Sequence, residues 1–460
     1  METNIVPLAG YKKQKVNQTL GAPLVVKSMG PIELKLQGVL GKLENSKFES
    51  KFDWGTYDRI GERYGENQPR GGVMYNQGLK LVNHHSSCSK CHYSLELDTY
   101  GRGCIHDCIY CYARETLTRH GYWNKPMPFP VNLAEIWKTF YTVFETDKDS
   151  KWRSILEKRV PIRIGSMSDS FMFMDKKYGV TLELLRMLKH YEYPYVIFTR
   201  SDLVAEQQYL NVMDPKLASI QLSVSGGNEE LTRKLEPGAP SVARRLKALK
   251  NLVDAGFWTA ARINPLFPTF PDGYYTDRTS IIKRFGSLDN VPKFDLFEPS
   301  FINQLAETGV QTLLAGFVRL HTFALRNMKK ELGLDLFPFF KPELSQNYGD
   351  NRYSDSEIAF YYKLLQIECA KVGIRFTTCY IGNGLKDYYK YQDLWSNKSD
   401  CCDIRGNVAG FKTTAQDIPW SDRLVHAPAK EEAMKSMKAE VEWKEEPEAT
   451  PSAFSPSPGA

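Results

Sequence analysis

Gly103-Cys104-Ile105-His106-Asp107-Cys108-Ile109-Tyr110-Cys111-Tyr112-Ala113-Arg114 sets three cysteines in a C-x3-C-x2-C run, directly after the short first strand expected at LDTYG (97–101). Each iron of a [4Fe–4S] cube needs one protein thiolate, so three thiolates in one loop hold three irons and leave the fourth open to an outside ligand. Gly101 and Gly103 allow the backbone to wrap closely around such a group. The competing reading is a zinc site built from these cysteines and His106. Zinc, however, favours C-x2-C pairs arranged in two halves.

Downstream of the loop the chain alternates between two kinds of segment. Apolar, β-branched runs recur at VPIRIGS (160–166), YVIFTRS (195–201), ASIQLSVS (218–225), FWTAARINP (257–265), VQTLLAGFV (310–318) and IRFTTCYIG (374–382). Between them lie helical patterns such as LELLRMLKHY (182–191), SVARRLKALKNLVDAG (241–256) and SEIAFYYKLLQIECAKVG (356–373). Strands joined by helices imply a parallel sheet, and six or seven of them imply an α/β fold with a closed or partly closed barrel, which the resemblance described below narrows to a partial (β/α)6 type. In such a fold the chemistry sits at the carboxyl ends of the strands.

The expected organisation is a basic N-terminal extension over 1–95 with short hairpins, a partial barrel over 96–385, a C-terminal extension over 386–420 that carries a cysteine pair, and a disordered tail over 421–460. The tail ends PSAFSPSPGA, a composition that cannot bury a core. The net charge is +6; the last forty residues hold five Lys/Arg and eight Asp/Glu, which leaves +9 on the body. That balance leans mildly toward a polyanion such as nucleic acid, a lean that many enzymes of neutral substrates share. No apolar run is long enough to span a bilayer, and METNIVPLAG lacks the apolar core of a secretory signal, so a cytoplasmic protein is expected. Nine cysteines without an export signal read as reduced thiols rather than a disulfide scaffold.

The cysteine run with an aromatic before its last member resembles the signature of the radical SAM superfamily. The wording GCIHDCIYCYAR, with EPGAPSVARRLKALKNLVDAG (236–256) and RINPLFP (262–268), is similar to the spore photoproduct lyase-like branch over about residues 100–406. The resemblance implies that Cys104, Cys108 and Cys111 hold a [4Fe–4S] cluster and that the open iron binds S-adenosyl-L-methionine (SAM). Reduction then yields a 5′-deoxyadenosyl radical that abstracts hydrogen from substrate. It further implies that Tyr110 lies against the adenine and that Gly165 and Ser166 present backbone to the SAM amino group. Ser223, Ser225, Arg262 and Asn264, at the ends of two strands, are candidates for ribose or carboxylate contacts. Each also has a plain structural alternative: Ser168 or Asp169 as a helix cap, Arg262 paired with a carboxylate, and Met167, Met172 and Met174 as packing.

The implied substrate is a modified or damaged thymine-type base in DNA, and the implied partners include an electron donor such as flavodoxin or ferredoxin. The branch's hydrogen-returning thiol has no counterpart in ASIQLSVSGGNEE (218–230), and Cys379 is the candidate to replace it. Without such a thiol, 5′-deoxyadenosine returns its own hydrogen. That favours an isomerase, of the kind that rearranges a hypermodified thymine, over a DNA-repair lyase. A non-catalytic, zinc-stabilised nucleic-acid-binding protein is the alternative from another class. Cys88 and Cys91, with His92, Cys379 or the Cys401–Cys402 pair, are candidates for a second metal, and Cys369 reads as core. KDYYKYQDLW (386–395), FPFFK (337–341) and PDGYYTD (271–277) interleave aromatics with charge, a pattern that stacks bases when it faces a groove.

Overall fold

A computed structural model describes residues 42, 45–53, 80–81, 95–101, 103–119, 123, 128–131, 133–267, 278–290, 294–337, 340–346, 350–379, 391–397 and 400–418. Contacts group residues 1–45 and 46–460 into two units, and the described part of the second carries all that follows. The hairpins expected in 24–43, the tail 421–460, the Cys88–Cys91 pair with His92, Lys386–Lys390 and PDGYYTD lie outside the described residues, Lys42 aside.

The body is an open sheet of eight strands: β1 (Lys80–Leu81), β2 (Leu95–Leu97), β3 (Ile162–Ile164), β4 (Tyr195–Thr199), β5 (Ala218–Ser223), β6 (Trp258–Leu266), β7 (Thr312–Phe317) and β8 (Arg375–Thr378). They neighbour one another in chain order; β1 is antiparallel to β2, and the other seven run parallel. The helices between them include α1 (Tyr112–Arg119), α2 (Val180–His190), α3 (Val242–Asp254), α4 (Phe301–Glu307) and α5 (Asp355–Lys371). The expected partial α/β barrel is therefore present, with seven parallel strands and no closure.

Local chemistry explains the boundaries. Ser241 accepts from Arg244 N at the start of α3, and Ser354 with Glu357 forms a reciprocal capping box at the start of α5. β4 and β5 are buried along their whole length, as parallel strands covered on both faces must be. Alternation sends Ile220 and Leu222 to one face and Ser219, Gln221 and Ser223 to the other.

That second, polar face is filled at the strands' amino ends by the segment 391–418. Cys401, Cys402, Ile404, Val408 and Phe411 form an apolar cluster with Val196, Phe198 and Trp395, and Trp258 packs against it. Asp403 receives Arg375 (2.6 and 2.7 Å) and Thr312 Oγ1 (2.6 Å), which pins the segment to β7 and β8. Cys401 and Cys402 are buried in this cluster with their sulfurs 3.9 Å apart, and Cys88, Cys91 and His92, other members of the expected second metal site, lie outside the described residues. Tyr391 and Trp395 are not a stacking platform. Tyr391 packs on Tyr362, and Trp395 Nε1 donates to Thr378 Oγ1 at 2.7 Å. Phe340 of FPFFK packs on Tyr353. Cys369 is buried in α5, and Met172 is packed in the core, as expected.

Candidate active site

The three-cysteine loop lies beside the carboxyl ends of the strands and is clamped on two sides. On one side, Gly238 N donates to His106 O at 3.0 Å, and His106 Nδ1 lies 3.1 Å from Gly238 O. A Cβ at Gly238 would stand 1.8 Å from the Ile105 carbonyl oxygen, so the glycine of E-P-G exists to let the loop approach. On the other side, His106 Nε2 is 3.1 Å from buried Asp169 Oδ2. Asp169 also accepts from Thr199 Oγ1 (2.7 Å), Arg200 N (2.8 Å) and Phe171 N (2.9 Å). Burial pushes its carboxyl up, but His106 and these donors outweigh burial and hold it below the ordinary carboxylate range. The next helix begins only at Asp175, so Asp169 is a tie between loop and sheet rather than the cap expected of it. Ser168 Oγ donates to Tyr100 O and is no cap either.

Beneath the loop sits a buried charge network. Glu236 takes Arg200 on one side (2.6 Å) and Arg245 on the other (2.6 Å), together with Ser225 Oγ (2.8 Å) and the Tyr110 hydroxyl. Arg200 Nη1 donates to Tyr110 Oη (2.5 Å) and to Cys108 Sγ (3.2 Å). Burial pushes Glu236 up, but the two guanidinium groups prevail and hold it at about 2, against an ordinary 4.5. A depressed folded-state pKa stabilises the fold above the unfolded value. Glu236's contribution is therefore complete above pH 4.5 and is lost as pH falls toward about 2. Arg245→Ala leaves one face of this carboxylate unpaired. A loss of about 3–5 kcal/mol is expected in urea unfolding at neutral pH, and a much smaller loss at pH 2.

The hydroxyls of Tyr110 and Ser225 thus turn into this network. The Tyr110 ring meets Phe267 edge-on at 5.8 Å. Gly165, after β3, has φ +92°, and its N–H donates to Leu97 O at 3.4 Å. Asp98 clamps the following turn by accepting from Ser166 N (2.5 Å) and Met167 N (2.8 Å), and Ser166 Oγ donates to Glu96 (2.7 Å). Tyr112 Oη donates to Ser166 O at 2.5 Å, joining the cysteine loop to this turn.

On the sheet's polar face, Arg262 donates to Gln221 Oε1 (2.7 Å), lies 4.5 Å from the Phe198 ring and points Nη2 at Cys379 Sγ, 3.6 Å away. Among the described residues its neighbours are an amide, a ring and a thiol rather than the carboxylate that was one expectation. Ser223 pairs with Arg262 in register, and Asn264 packs where a Cβ on Gly316 would fall. The structure thus brings Arg262, Ser223, Asn264 and Cys379 together. Arg200 and Asp98 escaped the sequence reading, and Asp169 entered it only as a helix cap. YVIFTRS ends a strand as plainly as the other runs do, so strand-end logic alone would have singled out Arg200.

The donor set can be tested against the cluster proposed for it. Burial pushes the Cys108 thiol up to about 12 and raises Cys104 as well, so these sulfurs ionise only when a metal displaces their protons. Three thiols carried by one short loop, one of them accepting from Arg200 Nη1 at 3.2 Å, are a donor set that fits a cube, in which each thiolate binds a different iron.

The family model of the radical SAM superfamily matches residues 99–274, from the cysteine loop through β6. Residues 99–274 are a radical SAM domain. The family implies a [4Fe–4S] cluster and SAM as cofactors. An uncharacterised protein of Methanocaldococcus jannaschii is 30% identical over 178 residues, which is 38% of this chain and 61% of the relative. An uncharacterised protein of Mycobacterium tuberculosis is 24% identical over 175 residues, 37% of this chain and 49% of the relative. The matches thus span about half to three fifths of these curated relatives. Among solved structures, spore photoproduct lyase complexed with dinucleoside spore photoproduct is similar at 17% identity and a TM-score of 0.46, covering 70% of this chain and 94% of that one. Among the described residues, no helix is long and apolar enough to cross a membrane.

Proposed function

We propose that this radical SAM enzyme abstracts hydrogen from a thymine-type base in DNA, as an isomerase of a hypermodified base. The observation that carries the reading is the three-thiol loop, locked by Gly238 and Asp169 at the carboxyl edge of a parallel sheet. When bound, the cluster and SAM supply a 5′-deoxyadenosyl radical. Cys104, Cys108 and Cys111 hold the cluster, and no second metal is invoked at Cys88 and Cys91. The turn Gly165–Ser166, fixed by Asp98, offers backbone to the SAM amino group. Ser223, Arg262 and Asn264, at the ends of neighbouring strands, orient ribose or carboxylate. Tyr110 and Ser225 act from below by holding Glu236. The wording of the cysteine motif and the positive body support DNA. A flavodoxin or ferredoxin is the electron donor.

A second reading is photoproduct repair, favoured by one observation: Cys379 reaches the same polar face, next to Arg262. A lyase would use that thiol to return hydrogen to the thymine; an isomerase would return it from 5′-deoxyadenosine. Incubation with methyl-deuterated thymidine DNA, SAM and reductant is expected to place deuterium in 5′-deoxyadenosine. Absence of label from every DNA substrate, with SAM still cleaved, would move the substrate out of DNA. Cys379→Ala is expected to leave product formation by an isomerase within about twofold; loss of product would install the thiol as hydrogen donor and favour repair.

A further inference from the structure

The Arg200–Glu236–Arg245 network has no part in holding SAM or substrate in the reading above, yet one of its N–H groups reaches a cluster ligand. Arg200 Nη1 stands 3.2 Å from Cys108 Sγ and at the same time 2.6 Å from Glu236. The side chains of Arg200, Glu236 and Arg245 are 15%, 1% and 0% exposed, so water barely screens them. Two guanidinium charges face one carboxylate, which leaves one positive charge in excess at the buried end of the loop. Among the described residues, a further buried carboxylate, Asp169, sits at the His106 side and is surrounded by four donors, and buried Asp98 accepts from Ser166 N and Met167 N.

Resting on the cluster assignment above, we infer that Arg200 is a positioning residue that tunes the metal centre: its N–H donates to the Cys108 sulfur, and the network's excess charge makes the cluster easier to reduce. The cluster gains one electron from an outside reductant, with no bond made or broken. Hydrogen bonds to sulfur and net charge nearby are the levers a protein has on an iron–sulfur potential. A positive charge held in low dielectric stabilises the added electron far more than the same charge in water. Glu236 and Arg245 act through Arg200, keeping its guanidinium pointed at the sulfur. Tyr110, which shares Arg200 with the sulfur, fixes the tilt.

The test is an anaerobic dithionite titration, followed by EPR, of the reconstituted full chain without SAM. Arg200→Gln is expected to lower the midpoint potential by about 59 mV or more, a tenfold shift in the one-electron equilibrium. Arg200→Lys, which keeps the charge but not the planar fork, is expected to fall between the two. A potential equal to or above wild type in Arg200→Gln, at full iron content, overturns the inference. If Arg200→Gln takes up no cluster, Arg200→Lys decides alone, and an unshifted potential there overturns it too. A wild-type protein that forms no cubane would instead undo the cluster assignment, so the two failures are told apart.

Discussion

Cys104→Ala, purified and reconstituted without oxygen, is expected to lose the cubane EPR signal and most of its iron, and with them all SAM cleavage. The same holds for Cys108→Ala and Cys111→Ala. Each thiolate binds its own iron, so removing one strips a corner that no neighbouring side chain replaces. Among the described residues the remaining cysteines are remote in role: Cys369, Cys401 and Cys402 are core, and Cys379 faces Arg262. Cys369→Ala is therefore the matched control. It is expected to keep full iron while losing about 1 kcal/mol of stability, the cost of a small void. Metal analysis and EPR check both. A Cys104→Ala protein with undiminished iron and turnover would show that the ligands lie elsewhere.

Gly165→Ala is the second large effect. At φ +92° an L side chain is strained, and the new Cβ would stand 2.0 Å from the Phe198 carbonyl oxygen in β4. Backbone cannot rotate aside as a side chain can. A loss of about 3 kcal/mol or more is expected, a fall in Tm of about 6 °C or more. SAM affinity, read by equilibrium binding to the reconstituted protein, should drop at least tenfold, because the turn that Asp98 orients must move away from β4. Gly179 makes the comparison. It has φ +63° and nothing within 4 Å of an added Cβ, so Gly179→Ala should cost only about 1 kcal/mol and leave SAM binding intact.

Much of this site can be read one residue at a time. The C-x3-C-x2-C spacing places three sulfurs in one loop wherever that loop lies, and the period of the runs from VPIRIGS to IRFTTCYIG demands parallel strands whose ends share an edge. Gly165, Ser223, Arg262, Asn264 and Cys379 follow from strand-end logic. Motif chemistry failed where a side chain's partner is distant in sequence. Only the structure shows that the Cys401–Cys402 pair is buried against Val196 and Phe198. Trp395 and Tyr391 sit in an aromatic, basic stretch that suggests a nucleic-acid groove, yet their polar atoms are spent on Thr378 and on Asp355 O.

The sequence by itself determined the three-thiol loop and the parallel α/β plan, because motif spacing and hydrophobic period are local properties that survive any tertiary arrangement. The tertiary structure alone decided that Gly238 and Asp169 clamp the loop, that Arg200 meets the Cys108 sulfur, and that 391–418 packs on the polar face of the sheet. The loop contacts join residues 63 to 132 apart, and the last joins Val196 and Phe198 to residues beyond 400. Burial sets their strength, and no spacing in the chain encodes burial.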